Sequence, residues 1–307
     1  MNKIKKIFLL VNAFCSCAIF AQHDPMYSQY MFNGLLLNPA YAGSHKYFSA
    51  NALYRNQWTS FTGAPKTSLF VIDGPLKKEK MGVGLIIEND KIGITNQTDI
   101  YANYAYHLKI GPGKLSFGLK AGISSYTSKF SSLKVVDIGD DAFMSDIQSA
   151  ILPKFGFGTF YYAEKFYAGF SVPSLVTFNP LSNNVDLRGS TVQRRHYYFT
   201  GGYVLDANEF LTLKPSVLIK YTPSAKPQID FNLNALFYDS FWIGASYRTG
   251  DAVVAIAEYQ VSSKFRIGYA FDCPISSIRA YAGYTHEIMI AFDFKKETIR
   301  TINPRYF

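Results

Sequence analysis

Cysteine, histidine clusters and long apolar helices are what this chain of 307 residues has least of. Of its three cysteines, Cys15 and Cys17 fall in the first 21 residues, so Cys273 alone follows and no internal disulfide framework can form. His23, His45, His107, His196 and His286 are scattered without His-x-x-x-His or Cys-His spacing, which argues against a metal site. Asp140-Asp141 is too small a carboxylate set for calcium. There is no Gly-x-Ser-x-Gly elbow, and Gly111-Pro112-Gly113 is turn chemistry with no helix after it to cradle a phosphate. No catalytic residue and no cofactor are therefore expected. Charged residues make up only 17% and form no dense Lys/Arg run, so the net charge of +9 does not point to nucleic acid.

The one long apolar run, Ile7–Phe20, follows Lys3, Lys5 and Lys6 and ends before Ala21. Residues 1–21 read as a secretory signal peptide cut ahead of Gln22. The run is short of the roughly 20 residues of a spanning helix, and Phe14-Cys15 fits poorly ahead of a lipoprotein cut at Ser16-Cys17. Losing Lys3, Lys5 and Lys6 and no acid takes the formal charge from +9 to +6. Basic residues near an anionic membrane or lining a lumen account for that remainder.

What the chain has in quantity is a two-residue alternation. In 97–110, Gln97, Asp99, Asn103, His107 and Lys109 share one parity, and Ile100, Tyr104, Tyr106, Leu108 and Ile110 the other. Successive strand side chains face opposite ways, so the segment has a polar and an apolar face. The pattern predicts fourteen strands: 47–58, 66–74, 80–89, 97–110, 114–127, 154–163, 166–173, 194–206, 209–222, 227–239, 241–249, 252–262, 264–272 and 287–294. Segments 166–173 and 241–249 alternate less cleanly. Aromatics at 17%, including 23 tyrosines, suit membrane boundaries, where an apolar ring ends in a hydroxyl.

The connections separate a barrel from a Tyr-rich soluble sandwich. With the N-terminal end on the periplasmic side, every second connection is short, and the three longest (about 128–153, 174–193 and 273–286) fall on the opposite side. The expected fold is an all-β, transmembrane antiparallel β-barrel of about 14 strands in outer-membrane lipid, with both termini periplasmic. Its divisions are a signal peptide (1–21), an N-terminal extension (22–46), the barrel (47–294) and a C-terminal tail (295–307). Asp99, Lys109, Lys114, Lys120, Asp230 and Glu258 are expected on the lumen side, where charge is cheaper than in lipid.

The extension contains Asp24-Pro25-Met26-Tyr27-Ser28-Gln29-Tyr30-Met31-Phe32-Asn33 and then Asn38-Pro39-Ala40-Tyr41-Ala42-Gly43. These runs resemble the opening of the PorP/SprF family, outer-membrane proteins of the type IX secretion and gliding systems of Bacteroidota. Further resemblances are Tyr54-Arg55-Asn56-Gln57-Trp58, Phe155-Gly156-Phe157-Gly158, Tyr167-Ala168-Gly169-Phe170-Ser171-Val172-Pro173, Thr285-His286-Glu287-Ile288 and Pro304-Arg305-Tyr306-Phe307. Gly34 departs from the proline the family pattern has there.

The resemblance implies a non-enzymatic component of type IX export. Its partners would be periplasmic secretion subunits and exported, adhesin-like surface cargo.

Three readings of the extension stay open: a plug in the barrel mouth, a docking strip for a partner, or an ordered lead-in to the first strand. Its candidate residues are Asp24, Tyr27, Gln29, Tyr30, Phe32, Asn33, Asn38, Pro39, Tyr41 and Gly43, which supply stiff apolar surface or turn chemistry. Pro304, Arg305, Tyr306 and Phe307 form a candidate insertion signal or docking end. The alternative function is a plugged fourteen-stranded channel for hydrophobic or small solutes.

Overall fold

A computed structural model describes residues 26–294 apart from 77–78, 133–146, 176, 180–183, 187–194 and 224. Residues 1–21, where a signal peptide is expected, and 295–307 lie outside the described residues.

The strands are β1 (Ser49–Asn56), β2 (Lys66–Leu76), β3 (Met81–Ile92), β4 (Thr95–Ile110), β5 (Gly113–Ser128), β6 (Ile147–Tyr162) and β7 (Phe166–Val172). There follow β8 (Tyr197–Tyr203, continued past Val204 by Leu205–Asn208), β9 (Leu211–Tyr221), β10 (Gln228–Phe237) and β11 (Phe241–Arg248). The last three are β12 (Ala252–Gln260), β13 (Phe265–Pro274) and β14 (Thr285–Asp293). Each pairs antiparallel with its chain neighbours, and β1 pairs with β14 from Ser49↔Asp293 to Asn56↔His286. The sheet is thus a closed barrel of fourteen strands with no free edge, which satisfies every ladder group without water. The expected count is met strand for strand. Among the described residues no helix is long and apolar enough to cross a membrane.

Parity sorts the side chains as the alternation predicts. On β11 burial alternates without a break, with Trp242, Gly244, Ser246 and Arg248 inward and Phe241, Ile243, Ala245 and Tyr247 outward. Outward apolar residues such as Phe117, Leu119, Phe231, Leu233 and Ile288 are 41–60% exposed, a greasy wall that meets lipid. Inward polar residues such as Asp99, Asn103, Asp230, Glu258 and Glu287 are almost fully buried. Lys114 reaches Glu79 at 2.9 Å at the short-turn rim, and Lys120 stands 4.1 Å over the Tyr101 ring.

One barrel end carries only short turns, such as Gly111-Pro112 and Glu209-Phe210; the other carries the long connections. At the long-loop end, residues 57–65 and 275–284 are stitched together: Thr59 N donates to Tyr284 O at 2.9 Å and Trp58 N to Thr285 Oγ1 at 3.2 Å. A two-stranded hairpin, Thr177–Asn179 with Asn184–Asp186, stands apart in the 173–196 connection.

The core is inside the barrel, and it is made by the extension. Tyr27, Tyr30, Met31, Leu35, Leu37, Ala40, Tyr41 and Ala42 are buried against inward residues of the wall such as Leu53, Val71, Ile86, Phe160, Leu218 and Met289. Three single 3₁₀ turns, Tyr30–Phe32, Gly34–Leu36 and Pro39–Tyr41, fold this stretch compactly.

Candidate functional site

The lumen and the segment that fills it form the most elaborately bonded region of the described residues. Tight turns leave backbone groups free, and a segment buried away from water must satisfy them from the wall. At the long-loop end the wall supplies carboxylates. Ser28 N and Gln29 N each donate to a Glu287 carboxylate oxygen at 2.8 Å, and Ser28 Oγ reaches both oxygens of Asp272 at 2.7 and 2.8 Å. Arg55 pairs with both acids, its guanidinium nitrogens 2.7 Å from Asp272 and 3.0 Å from Glu287, and it also donates to Ser28 Oγ at 2.9 Å. Arg248 brings a second guanidinium to 3.9 Å from Asp272, and the two backbone N–H groups complete the partners of Glu287.

Tyr27 donates its hydroxyl to Glu88, and Tyr30 accepts from Asn232 at 2.8 Å and lies 3.5 Å from Asp230. Asp230 is itself paired with Lys220 at 3.0 Å and Arg248 at 3.4 Å.

Midway, Lys214 donates to the Met31 carbonyl at 3.2 Å, and Phe32 meets Trp242 edge-on with centroids 5.7 Å apart. Asn33 is buried between the first two turns, its N–H bonded to Tyr30 O.

The run Asn38–Gly43 is fitted to bare backbone. Asn38 caps the third turn, its Oδ1 accepting from Ala40 N at 2.9 Å while its Nδ2 donates to Thr159 O at 2.8 Å. Pro39 opens that turn, where no N–H is needed. The wall presents glycine where this run touches it. A methyl group on Gly82 would stand 1.8 Å from Ala42 O, one on Gly118 2.1 Å from Ala40 N, and one on Gly158 2.0 Å from Asn38 Oδ1. Tyr41 packs on Phe160 with ring centroids 5.6 Å apart. Gly43 turns the chain out at φ +67° and donates to Asp73 at 3.0 Å. His45 follows, 3.3 Å from the same carboxylate; burial lowers its pKa, but Asp73 and Asp293 outweigh that and the net shift is upward.

Of the candidate residues, Tyr27, Gln29, Tyr30, Phe32, Asn33, Asn38, Pro39, Tyr41 and Gly43 are thus brought together in the lumen. Asp24, Pro304, Arg305, Tyr306 and Phe307 lie outside the described residues. The expectation of two periplasmic termini falls on residues outside those described. Met26, the first described residue, accepts from Tyr198 at the long-loop end of β8, far from the short-turn end where β1 starts. The wall partners Arg55, Asp272, Glu287, Asp73, Gly82 and Gly118 were not sequence candidates; Arg55 and Glu287 stood in quoted motifs without a role.

These features define an outer-membrane β-barrel whose lumen is occupied by its own leading segment. The chain belongs to the family of type IX secretion system membrane proteins PorP/SprF, which residues 19–292 match. Membership associates it with secretion-system components and membrane lipid. No curated protein matches the chain. Among solved structures, outer membrane protein Omp33 of Acinetobacter baumannii is similar with TM-score 0.50 and 8% identity over 82% of this chain and 100% of that one. The CymD monoaromatic hydrocarbon channel gives 0.49 and 9% over 87% and 94%, and the KdgM porin 0.36 and 10% over 80% and 99%. At such identities the likeness to Omp33 speaks for the barrel fold alone.

Proposed function

We propose that this barrel is a non-enzymatic platform of the type IX secretion and gliding machinery, not a conduit. Its short-turn end faces the periplasm and meets secretion subunits, and its long-loop end meets exported, adhesin-like cargo. Residues 26–45 act as a permanent internal brace and seal. The observation that carries this reading is the bonded filling of the lumen, from Arg55, Asp272 and Glu287 at one end to Asp73 at the other. A solute channel would need that space open. The burial of Tyr27 and Tyr41 speaks against a docking strip, because their rings are already covered by the wall.

The test is a pull-down from solubilised outer membranes, comparing the native chain with one whose 275–284 loop is replaced by a Gly/Ser linker. Secretion subunits retained by both and surface cargo lost from the second is the expected result. Specific flux of a hydrophobic solute through the native protein in liposomes, with no cargo dependence on deletion, would instead establish the channel.

A further inference from the structure

We propose that a small monovalent anion of the halide class occupies a cavity between the lumen segment and the wall, held by the ammonium of Lys214. The cavity measures about 30 Å³. On one side it meets the turns Tyr30–Phe32 and Pro39–Tyr41, and on the other Phe160 of β6, Tyr167 of β7, Thr200 of β8 and Lys214 of β9. No Asp or Glu lines it. A space of that size takes one or two water-sized species and falls well short of the roughly 150 Å³ that admits benzene.

Charge decides what fills it. Lys214 points inward from β9 and is 2% exposed. Its ammonium has three N–H donors. One reaches Met31 O at 3.2 Å, and the Tyr167 ring centroid stands 5.7 Å from Nζ. Among the described residues no carboxylate pairs with it within 4.0 Å. Glu258, the acid whose field reaches it, is already held by Arg266 at 3.1 Å. A buried cation with only neutral partners is costly, and an anion beside Nζ offsets that cost while accepting the remaining N–H groups. The neighbouring strand adds a donor. A methyl group on Gly169 would stand 2.7 Å from Thr200 Oγ1 and 3.0 Å from Asn38 Nδ2, which puts the Thr200 hydroxyl on the lumen side, beside the segment. One ammonium matches one negative charge, so a divalent oxyanion is disfavoured. The inference rests on this cavity and not on the secretion role, so either can fail without the other.

The test is the urea midpoint of the protein purified from outer membranes in detergent, with gluconate exchanged for chloride at constant ionic strength and pH. Gluconate is too large for the cavity. The midpoint should rise with chloride, logarithmically once the site is filled. Lys214→Met removes the charge and should abolish the rise. Thr200→Val removes a donor but leaves the ammonium, and should move the onset of the rise to about tenfold higher chloride. A native midpoint that ignores chloride would overturn the proposal, and so would a rise equal to the native one in either variant. If Lys214→Met fails to fold, the onset in Thr200→Val still decides. Bromide soaked into crystals of the native protein should give an anomalous peak in contact with Lys214 Nζ, and water alone at that position would overturn the proposal as well.

Discussion

Arg55 decides more than any other single side chain, because it lies between two buried acids that also hold the segment, Glu287 at the Ser28 and Gln29 N–H groups and Asp272 at the Ser28 hydroxyl. A buried ion pair adds little net stability over an apolar replacement of the whole set, yet removing one partner strands the others. Arg55→Leu is expected to cost about 3–5 kcal/mol, read as a fall in the urea midpoint of the detergent-solubilised barrel. An Arg55→Leu, Glu287→Gln, Asp272→Asn triple variant should recover part of that loss. His45 gives a pH signature. Its folded pKa is raised, so the stability it contributes is fully present below its unfolded value of about 6.5 and fades as pH rises through the folded value. The unfolding midpoint should therefore drop between pH 5.5 and 8.5, and His45→Gln should flatten that drop. A midpoint insensitive to pH in the native chain would remove the role given to the His45–Asp73 pair. None of this network was legible in the sequence: Arg55 and Glu287 lie 232 residues apart, and only closure of β1 on β14 brings them together.

Among elements, the strands were legible and the thread's seat was not. Alternation located the fourteen strands because one face meets lipid and the other does not. It was weakest where the inner face is apolar too, as at Trp242 on β11, which serves Phe32 instead of water. Inward Leu53, Val71 and Ile86 break the polar-inside rule for the same reason: the lumen contains protein. The glycines at 82, 118 and 158 read as ordinary strand glycines until the turn Pro39–Tyr41 is seen against them. Gly82→Val and Gly118→Val are expected to leave the barrel's circular dichroism unchanged while exposing residues 26–44 to limited proteolysis. An equally protected segment in both variants would show that the glycines are not its seat.

For the whole molecule, fourteen closed strands filled by protein predict electrical silence. The native chain in planar bilayers should give no steady conductance, and deletion of residues 26–44 should yield discrete open steps through a lumen lined by Lys214, Asp230 and Glu258. Persistent conductance of the native chain would contradict the sealed reading. Sorting of connections into a short-turn end and a long-loop end was legible from spacing alone, since hairpin lengths are local. Which end the leading residues reach was not, because that depends on the path of a segment with no periodicity to read.

The seam between β1 and β14 joins the first and last strands of the chain, so the hole exists only once those two have paired. A filament lying across a ring that is zipped shut last can be encircled, or it can be drawn through a finished bore. The two routes differ in what they tolerate fused ahead of it: a bulky, quickly folding passenger is compatible with encirclement and jams the bore. The seam thus leaves two orders of assembly, which such a passenger tells apart.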